Sequence, residues 1–470
     1  MKNLTKTISA LCLVLVLASC GNTEKKEKQQ KVDELTNVVL TEAQIENIVK
    51  RSYQYVALYN LINKFAISQG GWNTINADTK LKDHTMTDLA RPNNDSFYTV
   101  IMLDLRNEPF VVNLPAFDSK YVSLMVVAYD HYVNVPKSTT QGDFQKNEKI
   151  LFYSDHTLNY NGDAIEGVDD IFKADGDFIA VVFRVMPHAV EPLRFKHNTA
   201  KIQEIGFKGL SEFKGETPKE RDAITFPQVG KIDLDIFENN FVEVMQFVTN
   251  HLSFDKSIEM DQEFLASMKL LGIVPGKVYN VETAISIDGN KFRAAADKVR
   301  LENLAKTSQA ADKELAHKIF LPKGETDLSA LLPVSIAGPI GLPMREAYYP
   351  PVITKDGSSM NGLNNYIIKM TKEQLPPANA FWSLTLYDKT HGFFIPNEYK
   401  KYSVGENGGM KLNKEGGIEI YISPEKPEGV PFENWLPSQK TDEEITVLLR
   451  IYGPQLDKID TWNAPFAEKL

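Results

Sequence analysis

The sequence predicts an α+β protein, mainly β, with two antiparallel β-sandwich blocks on either side of a helical middle. Three observations carry this. Runs of β-branched and aromatic residues, separated by Pro, Asn, Asp and Gly, fill residues 97–185 and return after residue 366. Residues 200–320 instead carry helical periodicity, and Phe292–Phe320 is rich in Ala, Lys and Glu without Pro or Gly. The two β-rich blocks also share landmarks in one order, as if one unit occurred twice.

In chain order, Lys2 and Lys6 precede the apolar run Ile8–Leu17, which closes on Leu17-Ala18-Ser19-Cys20. A charged start, an apolar run and small residues make a secretory leader. Cysteine at the cleavage site marks a lipoprotein signal. The chain is therefore expected to be exported, cut before Cys20 and tethered by lipid on that thiol. The run is too short for a bilayer, which needs about 20 apolar residues, so the protein is anchored to its membrane and does not span it. Gly21-Asn22 lacks the aspartate of inner-membrane retention, which points to the outer membrane of the cell envelope. Residues 20–38 follow as a polar tether, with too little apolar surface to offset its ordering entropy.

Residues 39–72 hold one helix. Thr41 and Gln44 form a capping box, and Ile45, Ile48, Val49, Ser52, Val56 and Tyr59 recur at helical spacing, giving a helix over 42–68 that stops at Gly70-Gly71. Residues 73–198 make the first sandwich, with strands at 97–105, 111–114, 121–129, 149–153 and 178–185. Residues 199–335 are the helical middle, with helices at 236–252, 261–271 and 292–320. Residues 336–470 make the second sandwich, with strands at 366–370, 381–387, 418–422 and 445–452.

The shared landmarks run Asn93-Asn94, Tyr98, Met102, Leu114-Pro115, Ser123-Leu124, Tyr129-Asp130 and Arg184 in the first block. In the second they run Asn364-Asn365, Tyr366, Met370, Leu375-Pro376, Ser383-Leu384, Tyr387-Asp388 and Arg450. Residues found in both halves read as serving the fold, and residues found in one half as site candidates.

The 470 residues suffice for two or three domains. With 52 basic against 62 acidic residues and a net charge of −10, nucleic acid is not an expected partner. Cys12 falls in the leader and Cys20 carries the lipid, so disulfides, zinc–thiolate sites and cysteine nucleophiles are excluded. Gly338-Pro339-Ile340-Gly341 and Gly408-Gly409 lack the lysine of a phosphate loop, and no Gly-x-Ser-x-Gly elbow occurs. No cofactor and no metal site are expected.

The block Leu375-Pro376-Pro377-Ala378-Asn379-Ala380-Phe381-Trp382-Ser383, with Asn434-Trp435-Leu436-Pro437 and Arg450-Ile451-Tyr452-Gly453-Pro454, resembles the bacterial domain of unknown function DUF1214. Arg91-Pro92-Asn93-Asn94-Asp95-Ser96-Phe97-Tyr98, with Leu103-Asp104-Leu105 and Lys120-Tyr121, resembles its partner domain DUF1254. The resemblance implies two jelly-roll-like β-sandwiches with helices between them, and no known reaction.

Six residues are the candidate ligand-binding set: Asp95, Tyr98, His131, Trp382, Tyr387 and Trp435. Asp95 stands before a strand among short polar residues, able to hold a sugar hydroxyl or to form a local turn. Asp130-His131 offers a carboxylate and an imidazole together, without a second histidine at metal spacing. The aromatic residues suit a sugar ring or an amphipathic body. The expected function is binding of a small polar or amphipathic molecule, a glycan included, in an inter-domain cleft. A hydrolase using Asp95, His131 and Glu406 and a structural envelope protein are the alternatives, and homo-oligomers are compatible with all three.

Overall fold

The computed structural model describes residues 39–87, 90–220, 222–308 and 313–470, so the leader, Cys20 and the tether lie outside the described residues. The chain is a mixed α/β protein, mainly β, built from several largely antiparallel sheets.

Helix α1, Glu42–Ser68, begins at Thr41 in a full capping box and ends before Gly70-Gly71. Its apolar residues are nearly all buried, because other helices and the first β unit cover it on several sides.

The first β unit contains β1 (Thr74–Ala77), β2 (Phe97–Asp104), β3 (Phe110–Leu114), β4 (Val122–Val127), β5 (Val133–Ser138), β6 (Glu148–Tyr153), β7 (Asp170–Lys173), β8 (Phe178–Val185) and β9 (Phe207–Gly209). One sheet has the order β1-β2-β8-β4-β5, the other β7-β6-β3-β9. The second unit contains β10 (Ala347–Tyr348), β11 (Pro351–Val352), β12 (Met360–Asn361), β13 (Tyr366–Met370), β14 (Ala378–Asp388), β15 (Ser403–Gly405), β16 (Ile418–Ser423), β17 (Trp435–Pro437), β18 (Glu444–Pro454) and β19 (Ala467–Lys469). Its sheets run β10-β18-β14-β15, with β11 and β12 also on β18, and β17-β16-β13-β19.

The two orders correspond strand for strand, except that β1 has no counterpart in the second unit. The pieces β10 to β12 replace β2, and β13 to β19 replace β3 to β9. Even the sense of pairing agrees: β6–β7 and β16–β17 are parallel while their neighbours are antiparallel. This corrects the expectation of wholly antiparallel sandwiches. The pairings establish a repeated, mainly antiparallel unit; they do not establish a jelly roll.

Register decides which sequence landmarks were equivalent. Ser123 faces Arg184 on β4–β8, and Ser383 faces Arg450 on β14–β18. Tyr98 and Tyr366 are not equivalent, because Tyr98 lies on β2 and Tyr366 on the counterpart of β3. The residue matching Tyr98 is Tyr349, since Phe97 faces Val185 and Tyr348 faces Ile451. Asp95 and Glu346 match by the same count.

In the helical middle, the helix expected over 236–252 is two, Asp233–Asn239 and Phe241–Asn250. Asn240 leaves helical geometry at φ −149°, ψ 31°, and its side-chain amide caps the Gln228 carbonyl. In the stretch 292–320 the described residues form helices Gly289–Ser308 and Lys313–Lys318, and residues 309–312 lie outside the described residues. Helix Leu328–Ala337 was not foreseen; its residues are apolar on all sides and show no period, and Asp327 caps its start.

The cores explain how the units meet. Trp382, Leu384 and Ile451 point into the second unit's own core. Phe381 and Tyr452, on the opposite face of the same strands, belong to the continuous core of the first unit and the helices. The units are thus joined through the outer faces of their long-stranded sheets.

Thr41→Ala, which removes the N-cap acceptor of α1, is expected to cost about 1 kcal/mol in urea unfolding.

Candidate functional site

The seam between the two β units is assembled from equivalent residues. The loop Arg91–Asp95, which leads into β2, lies against the second unit. The Arg450 guanidinium donates to Thr385 Oγ1 at 2.9 Å, Tyr387 Oη at 2.7 Å and the Arg91 carbonyl at 3.0 Å. Tyr387 donates its own hydroxyl hydrogen bond to the Pro92 carbonyl at 2.6 Å. Asn93 donates to the Tyr452 hydroxyl and, through its side-chain oxygen, accepts the Asp95 amide at 2.6 Å in an Asx turn. Asp95, fully buried, takes the Ser383 hydroxyl, and Ser403 donates to Asn94 at 2.7 Å. Burial raises the Asp95 carboxyl above the usual range, while Arg450, Ser383 and Ser403 pull it back.

The second unit returns the arrangement. Glu346, the counterpart of Asp95, is buried in the first unit and accepts from Tyr121 at 3.2 Å, Ser138 at 2.8 Å and Thr140 at 2.6 Å. Each half gives the carboxylate before an equivalent strand, β2 or β10, to hydroxyls of the other.

Arg184 breaks the symmetry. It is as buried as Arg450, yet its Nε and Nη1 are enclosed and have no hydrogen-bond partner. Its electrostatic neighbours are Tyr98, Tyr349, Tyr452 and Tyr121. Burial drives the Tyr121 and Tyr452 phenols well above their usual range, so they stay neutral and supply no counterion. The guanidinium carbon lies 5.6 Å from the centre of the Tyr98 ring. Such a contact contributes about 0.5–2 kcal/mol. Taking an ion out of water costs several kcal/mol, so the ring alone does not balance the charge. Tyr98 and Tyr349 each keep part of their surface accessible.

The expected cleft does not form as drawn. Asp95, Tyr98 and Tyr387 come together at the seam. Trp382 is packed in the second unit's core. Trp435, expected in an accessible loop, is only 1 % exposed: it starts β17, donates its indole N–H to the Ser423 carbonyl at 3.0 Å and packs on Tyr399 and Phe432. His131 sits elsewhere, fully buried at φ 67°, with Nδ1 2.6 Å from Ser335 Oγ and Nε2 2.7 Å from the Pro339 carbonyl. Burial lowers its pKa to about 4, so it is a neutral, saturated imidazole. Glu406 is a partly exposed partner of Lys120. The Asp95, His131 and Glu406 set is therefore not a constellation.

Two polar clusters lay outside the sequence reading. Asp177 holds His156 Nδ1 at 3.0 Å, His251 Nδ1 at 2.8 Å and the Ser154 hydroxyl at 2.7 Å, clamping the start of β8 to the end of helix Phe241–Asn250. Lys323 stands 3.3 Å from Asp130 and 3.6 Å from Asp261 in the interior. Burial pushes Asp130 up to about 7 against the pull of Lys323. Among the described residues, no group of three or more His, Cys, Asp or Glu is placed to hold a metal ion, and no helix is long and apolar enough to cross a membrane.

Comparison with known proteins agrees with the two-unit plan. Residues 72–204 match the family described as protein of unknown function DUF1254, and residues 346–456 match protein of unknown function DUF1214. The matches fall on the two β units, in the order the motifs imply. The crystal structure of the VPA0106 protein from Vibrio parahaemolyticus is similar in fold, with a TM-score of 0.70 at 20% identity over 92% of this chain and 100% of that one. An uncharacterised protein from Burkholderia cenocepacia aligns over 91% of this chain and 95% of its own, at 12% identity and a TM-score of 0.40. No curated protein matches the chain.

Arg450→Met takes the donor away from the buried Thr385 and Tyr387 hydroxyls and the Arg91 carbonyl and is expected to cost about 3–5 kcal/mol in denaturant unfolding. Asp130 holds its proton more tightly folded than unfolded, so its contribution to stability falls as pH rises from about 4 to about 7. Asp130→Asn is expected to flatten that part of the stability–pH curve.

Proposed function

We propose that this is a lipid-anchored cell-envelope protein that binds a small polar or amphipathic anion at the seam between its two β units, with Arg184 as the charge anchor. The observation that carries the reading is the buried guanidinium whose Nε and Nη1 have no partner. Buried charges are paired as a rule, and a folded chain that retains one unpaired gains by meeting an anion from outside. The leader with Cys20 supports attachment to the envelope, and Gly21-Asn22 after the cysteine favours the outer membrane.

Binding pulls the folded state down in free energy and so raises the unfolding midpoint. Thermal-shift screening of the full chain against small anions is expected to find compounds that raise Tm, and Arg184→Met is expected to abolish the rise. Without ligand, Arg184→Met is expected to unfold at or above the parental midpoint, since it removes a buried unpaired charge. A loss as large as that of Arg450→Met would identify Arg184 as a structural residue and overturn the reading.

A further inference from the structure

The repeated unit contains its own control for Arg184. The two arginines occupy one register position, opposite Ser123 on β4 and Ser383 on β14. Two residues further along the same face stand Met125 in the first unit and Thr385 in the second. Four residues further stand Val127 and Tyr387. In the second unit those positions carry the two hydroxyls that accept from Arg450. In the first they are a thioether and a hydrocarbon. The carboxylates differ likewise: Asp95 pulls on Arg450, whereas Glu346 is spent on Tyr121, Ser138 and Thr140. None of the hydroxyl and carbonyl acceptors that answer Arg450 has a counterpart bonded to Nε or Nη1 of Arg184.

We propose that the seam takes a small organic monocarboxylate, with its carboxylate on Arg184 and an apolar or aromatic body against the neighbouring tyrosine rings. This rests on the reading that Arg184 anchors a ligand, and it names the class. One guanidinium calls for one negative charge. Asp95 and Glu346, both buried in the same seam, oppose a second, which disfavours phosphate and sulfate dianions. The side chains around the guanidinium are aromatic: Tyr98 lies against it, and behind it the buried rings of Tyr121 and Tyr452 pack tilted with centres 5.0 Å apart. Tyr98 and Tyr349 are the partly accessible members and mark the side of entry. Methionine and valine next to the charge suit a hydrocarbon portion better than a sugar.

The test uses the full chain and calorimetry with benzoate, phenylacetate and hexanoate, alongside neutral benzyl alcohol and inorganic phosphate. The carboxylates are expected to bind saturably, and benzyl alcohol and phosphate to give no saturable heat. Arg184→Met is expected to weaken carboxylate binding by about tenfold or more. A second variant, Met125→Glu, places an internal carboxylate where Thr385 reaches Arg450 in the other unit. It is expected to fold with an unchanged or higher midpoint and to lose carboxylate binding, because the anchor is then occupied from within. Arg184-dependent binding of phosphate with silent carboxylates would overturn the monocarboxylate class and leave the anion site standing. No binding by any of the three carboxylates would overturn the class as well. Carboxylate binding undiminished in both variants would overturn the class and the anchor together.

Discussion

Two guanidinium groups buried between two β units set the terms for the rest of this molecule. A charge removed from water must be answered by hydrogen bonds and by an opposite charge, or it works against the fold. Arg450 is answered in full, and the answer is architectural: its donors reach a hydroxyl of its own sheet, a tyrosine, and the carbonyl of a loop from the other unit. That loop, Arg91 to Asp95, is held to the second unit by all five of its residues. The motif most recognisable in the first block is therefore a docking element. Its polar residues face inward across the seam.

The seam also shows how hydroxyls make buried carboxylates tolerable. Glu346 has three hydroxyl donors and no cation among its hydrogen-bond partners. Hydrogen bonds to a charged acceptor are stronger than neutral ones, so three together keep the carboxylate inside the protein. Serine, threonine and tyrosine at strand ends are unremarkable in composition, and their value here comes from where the second unit's chain enters.

Much of the architecture was legible in the sequence because local rules dominate it. The capping box at Thr41 and the apolar rhythm behind it mark α1, and strands such as Phe178–Val185 are continuous apolar runs between turn residues. The Ser–Arg landmark pairs proved to be cross-strand neighbours in both units. What escaped was decided by packing between distant segments. Trp435 sits among prolines and polar residues, yet a parallel pairing with β16 buries it. Val133–Ser138, which contains Pro136 and is not among the expected strands, serves as the edge strand β5, where a proline is admitted. Residues shared by both halves were assigned to the fold, which is right for Arg450. For Arg184 the distinction lies in its neighbours, Met125 and Val127 in place of Thr385 and Tyr387, and neighbours across strands follow from register alone.

The exchange of Asp95 and Glu346 has an evolutionary consequence. Two patches that each lend the same group to the other are the mark of an isologous contact, the kind made by paired identical subunits about a twofold axis. Such a contact needs no covalent link to exist. A one-unit precursor would have met a second copy of itself in this way, both arginines would have been equal, and tandem fusion through the intervening helices would then have freed one of them to diverge.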